Sequence, residues 1–243
     1  MHLQAIRPLV VRWEILYIAA ALASFVLAPA TWRLPTLAVA LALPAGMAAA
    51  ALLRHLRRPI HAPTAWLALP LGAIWAVITA RWTSGDIPGM WLPTGLVFTW
   101  FAVTLTVADL RSRRLPNALT LSAYPALGLT LAVAARASPD VSLAWHAVVG
   151  GGAFLAFHAA IHLWRPTSLG AGDVKIAYPI GATLGAINLT TIAPALLLAS
   201  AITLTLYCGV KSIHRKSTIP YGPGLLGAAT VFVTFPNLVG GSW

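Results

Sequence analysis

Nine stretches of this chain run with almost no charge, at 13–31, 35–53, 64–82, 89–108, 118–136, 141–164, 173–187, 189–210 and 219–239. A helix that crosses the hydrocarbon core of a bilayer needs about 20 mostly apolar residues, and all but the shortest run, 173–187, come close to that. The sequence is 59% hydrophobic and 9% charged, with a mean hydropathy of +0.82. Such a chain has too few polar side chains to clothe a single soluble core. The fold class read from this is all-α: a polytopic integral membrane protein of about nine transmembrane helices. Connections are short and no internal repeat is present, so residues 1–243 read as one membrane domain.

The net charge of +11 raises the question of nucleic acid, and the distribution of the charge answers it. With the amino terminus in the cytoplasm, the segments 54–58, 109–117, 163–175 and 211–216 fall on that side too. Thirteen of the sixteen Lys and Arg residues then lie inside, and Arg33, Arg81 and Arg136 lie outside. This is the bias that orients membrane proteins; the partner it implies is membrane lipid, with no nucleic acid. Trp13, Trp32, Trp66, Trp82, Trp91, Trp145 and Trp164 sit near span ends, where the indole ring favours the headgroup region. Trp75 and Trp100 do not, and read as packing residues. The single cysteine, Cys208, excludes an intramolecular disulfide and a cysteine-cluster zinc site. The first apolar run ends in "LAPAT" and has the outline of a cleavable signal peptide, but Glu14 interrupts it.

Only five acidic side chains are present. Glu14 lies near a membrane boundary, and Asp86 and Asp140 lie in turn-like external loops, where a turn or cap accounts for them. Asp109 ends the fourth run and Asp173 begins the seventh. Taken singly, Asp109 reads as a charge in a stop-transfer loop and Asp173 as a helix cap paired with Lys175. Yet ionisable groups at membrane depth are costly and point to function. Two spans separate these aspartates, so both return to the same face whatever the absolute orientation. Two neighbouring carboxyl groups share one proton, and such a pair can take a proton from water while giving one to a carbonyl oxygen or leaving amine. Gly170 and Gly172 would let another backbone approach Asp173. Pro116 breaks the segment after Asp109, and Asn117 caps the next helix.

The segments "DLRSRRLPNALT" (109–120), "GAGDVKIAYPIGATLG" (170–185) and "IPYGPGLLGA" (219–228) resemble, in order and spacing, the signature regions of the type IV prepilin peptidases, membrane aspartyl proteases of the GxGD class. The resemblance covers roughly 100–235. It implies a GxGD aspartyl protease fold, with residues 96–240 as the catalytic core and 1–95 as N-terminal helices without a clear match. It implies Asp109 and Asp173 as the catalytic pair, supported by Gly170, Gly172, Lys175, Pro116, Asn117, Pro220, Gly222 and Pro223. The substrates implied are prepilins and pilin-like precursors, cut at the cytoplasmic membrane face. No metal and no other cofactor is implied. Many members carry two zinc-binding cysteine pairs in a loop ahead of the catalytic region and also N-methylate the new terminus. The corresponding segment here, 54–64, holds no cysteine, which points to a peptidase without methyltransferase activity.

Other chemistries fit less well. His158 and His162 lie four apart on one helix face, but Ala159 stands where a zinc-protease motif has Glu. The terminal "GGSW" has no triad context. A proton-coupled transporter could use Asp109 and Asp173 as a relay, although its acids would be expected at the bilayer midplane. The charge bias makes a direct prediction: reporter fusions at Arg54, Arg113 and Lys211 should read cytoplasmic and a carboxyl-terminal fusion external. An external reading at Arg113 would move the aspartate pair to the other face.

Overall fold

The computed structural model describes residues 16–21, 23, 24, 29, 32–166, 169–213 and 221–240, without the side chains of 210–213. The regular elements among them are helical. After helical residues 16–21 come α1 (Arg33–His55), α2 (Ala65–Thr83), α3 (Leu92–Ser112), α4 (Asn117–Ala137), α5 (Ser142–Trp164), α6 (Ala171–Ile187), α7 (Ile192–Ile213) and α8 (Gly222–Thr234). Single 3-10 turns lead into α3 (Gly89–Trp91) and α7 (Leu189–Thr191), and another follows α8 (Pro236–Val239).

Six of these helices are long and apolar enough to cross a bilayer: α1, α2, α3 with its lead-in, α4, α5 and the stretch Leu189–Gly209. The expected nine is therefore not reached among the described residues. The run at 13–31 falls mostly outside them, the run at 173–187 forms the 17-residue α6, and that at 219–239 yields only the 13-residue α8. Pro236 explains the last case. It has no N–H to continue the hydrogen-bond ladder, so the chain leaves the α-helix at Phe235 and makes a 3-10 turn. At 1.5 Å per residue α8 is about 20 Å long, short of a hydrocarbon core of about 30 Å.

α3 is the most enclosed span, with 61% of its apolar window buried against 17% for the window in α7. It packs against α2, α4 and α8. Polar groups join the helices where lipid offers them no partner. Trp75 Nε1 donates to Thr99 Oγ1 at 3.0 Å, and Trp100 Nε1 donates to the Ala45 carbonyl at 3.1 Å; both residues expected merely to pack are interhelical donors. Trp91, expected at the headgroup level, is instead fully buried, and its indole donates to the Val233 carbonyl at 3.1 Å. That bond ties the start of α3 to the end of α8. Trp66, Trp145 and Trp164 are exposed, as their position at span ends suggests.

The closest helix pair is α5 with α6. Lipid tails are as apolar as Leu, so attraction between spans comes from surface that packs closely, and small residues provide it. A methyl group on Gly150 would lie 2.6 Å from the Gly181 carbonyl oxygen and 2.8 Å from Gly185 Cα, so the two backbones touch at this crossing. Gly150→Val should therefore destabilise the protein by about 2–3 kcal/mol or more, read as a lower thermal midpoint in detergent. Gly152→Val, two residues away with no atom within 4 Å of its Cβ position, should leave the midpoint nearly unchanged.

Candidate active site

The site forms where three segments meet at one end of the bundle. Asp109 lies in the last turn of α3 and is 5% exposed; Asp173 lies in the first turn of α6 and is 8% exposed. Between α3 and α4 the chain turns sharply. Arg113 takes the left-handed conformation (φ 51°, ψ 36°), and its N–H donates to the Asp109 carbonyl at 2.7 Å, closing α3. The chain then reaches Pro116, whose extended backbone and free carbonyl start α4 by accepting from the N–H groups of Leu119 and Thr120, each at 3.0 Å. Pro116 is thus the N-cap of α4. Asn117, expected in that role, is the first helical residue, and its side chain makes no capping bond. The proline ring fixes φ near the value this turn needs and takes the cap position one residue early.

With the cap already supplied, the Asn117 side chain is free for another partner. Its Oδ1 accepts from Lys175 Nζ at 2.9 Å, which joins α4 to α6. Lys175 makes no ion pair with Asp173; the ion pair found among the described residues is Arg81 with Asp86. The same lysine is held through its backbone. Pro179, four residues on, cannot donate to the Lys175 carbonyl, and the Tyr124 hydroxyl donates to it instead at 2.7 Å. Tyr124 and Tyr178 stack beside this bond, with ring centroids 5.8 Å apart.

Two glycines make the convergence possible. A Cβ on Gly172 would lie 2.9 Å from Leu115 Cβ, so the absence of a side chain lets the loop after α3 press against the first turn of α6. A Cβ on Gly222, at the start of α8, would lie 2.5 Å from Asp109 Oδ2 and 3.3 Å from Asp173 Oδ1. Both oxygens surround one point and lie under about 6 Å apart, near enough for one water molecule to touch both. Gly170 is the N-cap of α6, and Pro223 is buried in the first turn of α8. Pro220 lies outside the described residues. A cleft of 320 Å³ opens at the pair, with Arg113, Arg114 and Lys175 as its basic groups.

The remaining candidates fall elsewhere. Asp86 pairs with Arg81 at 3.5 Å in a turn around Gly85 (φ 84°). Asp140 accepts from the hydroxyl and the N–H of Ser142, both at 2.8 Å, and these bonds hold its carboxyl below the usual carboxylate range. His158 Nδ1 is 2.8 Å from the Phe154 carbonyl and His162 Nδ1 is 2.8 Å from the Leu169 carbonyl, so the two rings serve separate backbone bonds. Among the described residues, no three His, Cys, Asp or Glu side chains gather as a metal site would require. The sequence reading gave no role to Leu115 or Tyr124. The signal for Tyr124 was present in Pro179, which leaves a carbonyl four residues back in need of a donor.

The fold and the site define a helical membrane protein with two buried carboxyl groups held together at one end of its spans. Residues 96–209 match the sequence model of the Type IV leader peptidase family, so just under half of the chain is similar to this family of peptidases. The match takes in both aspartates and ends before Gly222, so α8 is joined to the site by geometry alone. No curated protein and no solved structure matches the chain.

The Pro179 arrangement can be tested by a double-mutant cycle. Tyr124→Phe should cost about 1 kcal/mol in the parent protein. It should cost less in a Pro179→Ala background, where the restored N–H takes over the Lys175 carbonyl. Thermal or chemical unfolding of the four proteins gives the coupling.

Proposed function

We propose that this protein is an aspartic endopeptidase that removes the leader peptide of prepilins or pilin-like precursors, with Asp109 and Asp173 as its catalytic residues. The observation that carries the reading is the meeting of the two carboxyl groups at Gly222. One carboxylate takes a proton from a water molecule as its oxygen attacks the scissile carbonyl carbon; the other, protonated, gives its proton to the carbonyl oxygen. Collapse of the resulting gem-diol breaks the C–N bond, with a proton delivered to the departing amine. Water is consumed, one acid and one amine appear, and the pair is left with the single proton it began with. Leu115 and Gly172 hold the two supporting segments against each other, and Asn117 and Lys175 tie α4 to α6 beside them.

In this reading residues 96–240 form the catalytic core and 1–95 lie outside it. The charge bias supports a cytoplasmic site, a cytoplasmic amino terminus and an external carboxyl terminus. The absence of cysteine from 54–64 supports cleavage without methyl transfer.

Coexpression with a prepilin-like substrate and mass spectrometry of the product tests these points together. Asp109→Asn and Asp173→Asn should each lower cleavage by roughly 10²–10⁴-fold or more, and the double variant should be little worse than either. Asp86→Asn and Asp140→Asn should cleave normally. Near-normal cleavage by either active-site variant would sink the pair, and proton-coupled flux in its place would favour a transporter. A methyl group added to the product by this protein alone would refute the peptidase-only reading.

A further inference from the structure

A second cavity, of 560 Å³, lies beside the cleft between the segment after α1 and the loop after α3. Leu56, Ile60 and Leu115 supply apolar wall, and Arg57, Arg58 and Arg114 supply its charge. Arg114 and Leu115 also line the cleft at the aspartate pair, so the two spaces adjoin. Because α2 lies between them, α1 and α3 end on the same face, and the cavity sits at the level where those spans leave the membrane.

Two of the nearby cations are already occupied. Arg111 lies over the Trp66 ring at 4.3 Å, and Lys175 bonds Asn117. Among the described residues Arg57, Arg58 and Arg114 have no ion pair, ring contact or side-chain hydrogen bond, and no acidic residue lines the cavity. The described acids at this end are Asp109 and Asp173, both buried at Gly222. Three exposed guanidinium groups are therefore gathered around one space without a protein counter-charge, an arrangement that repels itself until an anion enters. Guanidinium groups match phosphate oxygens with paired hydrogen bonds. The apolar wall suits a ligand that is anionic at one end and oily at the other, and the volume is that of a small-molecule site.

We propose that this cavity binds an anionic phospholipid, with its phosphodiester on Arg57, Arg58 and Arg114 and the start of its acyl chains against Leu56, Ile60 and Leu115. A bound lipid would brace Leu115 where it presses on Gly172. The inference does not depend on the peptidase reading, since binding is measured without cleavage.

The test uses the full chain purified in neutral detergent, titrated with phosphatidylglycerol, phosphatidylcholine or inorganic phosphate and followed by thermal shift and native mass spectrometry. Phosphatidylglycerol should raise the melting midpoint and remain bound, while phosphatidylcholine at the same concentration should not. The triple variant R57Q/R58Q/R114Q should bind it about tenfold or more weakly, and Arg114→Lys, which keeps the charge but loses the paired geometry, should fall between. Arg33→Gln combined with Arg136→Gln, at the opposite end, should bind as the parent does. Should the triple variant fail to fold, Arg114→Lys and the single variant Arg58→Gln carry the test, and parental affinity in both would overturn the proposal. Equal binding of phosphatidylcholine would also overturn it. So would an equal shift from inorganic phosphate, which would make this a free-anion site. Displacement of the lipid by an acidic peptide at lower concentration would assign the cavity to a protein partner and end the lipid proposal.

Discussion

Two carboxyl groups side by side at the edge of a bilayer lose hydration and repel each other when both are charged, so neither belongs there unless the surrounding chain leaves no alternative. Here the backbone closes on them from three directions. The last turn of α3 brings Asp109, the first turn of α6 brings Asp173, and the start of α8 comes against both at Gly222. The position of Asp173 within the first turn of α6 also places its carboxylate at the positive end of that helix. Much of the surrounding architecture can be understood as the means of keeping these three segments in contact.

α6 is the member on which the others converge. One face lies against α5 at the Gly150, Gly181 and Gly185 crossing, which sets its depth and direction. Its amino-terminal end is gripped twice by α4, through Asn117 to the Lys175 side chain and through Tyr124 to the Lys175 carbonyl. The second grip exists because Pro179 withholds an N–H. A residue that weakens a helix in isolation thus creates the acceptor by which that helix is attached to its neighbour.

The two aspartates were legible because acids are so scarce in this chain and because an even number of crossings returns both to one face; neither inference needs a side-chain contact. The helices were legible from the apolar runs. Their sufficiency as spans was not, since Pro236 ends α8 inside a run whose hydropathy continues. The roles of Pro116 and Asn117 were exchanged because composition marks both as starters of a helix, and only the backbone geometry decides which carbonyl begins it. The donors on Trp75 and Trp100 and the burial of Trp91 depend on which helices become neighbours, which a pattern along one chain does not specify.

The geometry at Gly222 has a consequence for what this position can tolerate. The point where a side chain would begin is the point that both carboxyl oxygens surround. Alanine there would place a methyl group 2.5 Å from Asp109 Oδ2 and 3.3 Å from Asp173 Oδ1, so the three segments could no longer close on one another as they do. The missing side chain at 222 is therefore what lets the backbone of α8 serve as the third wall around the two acids.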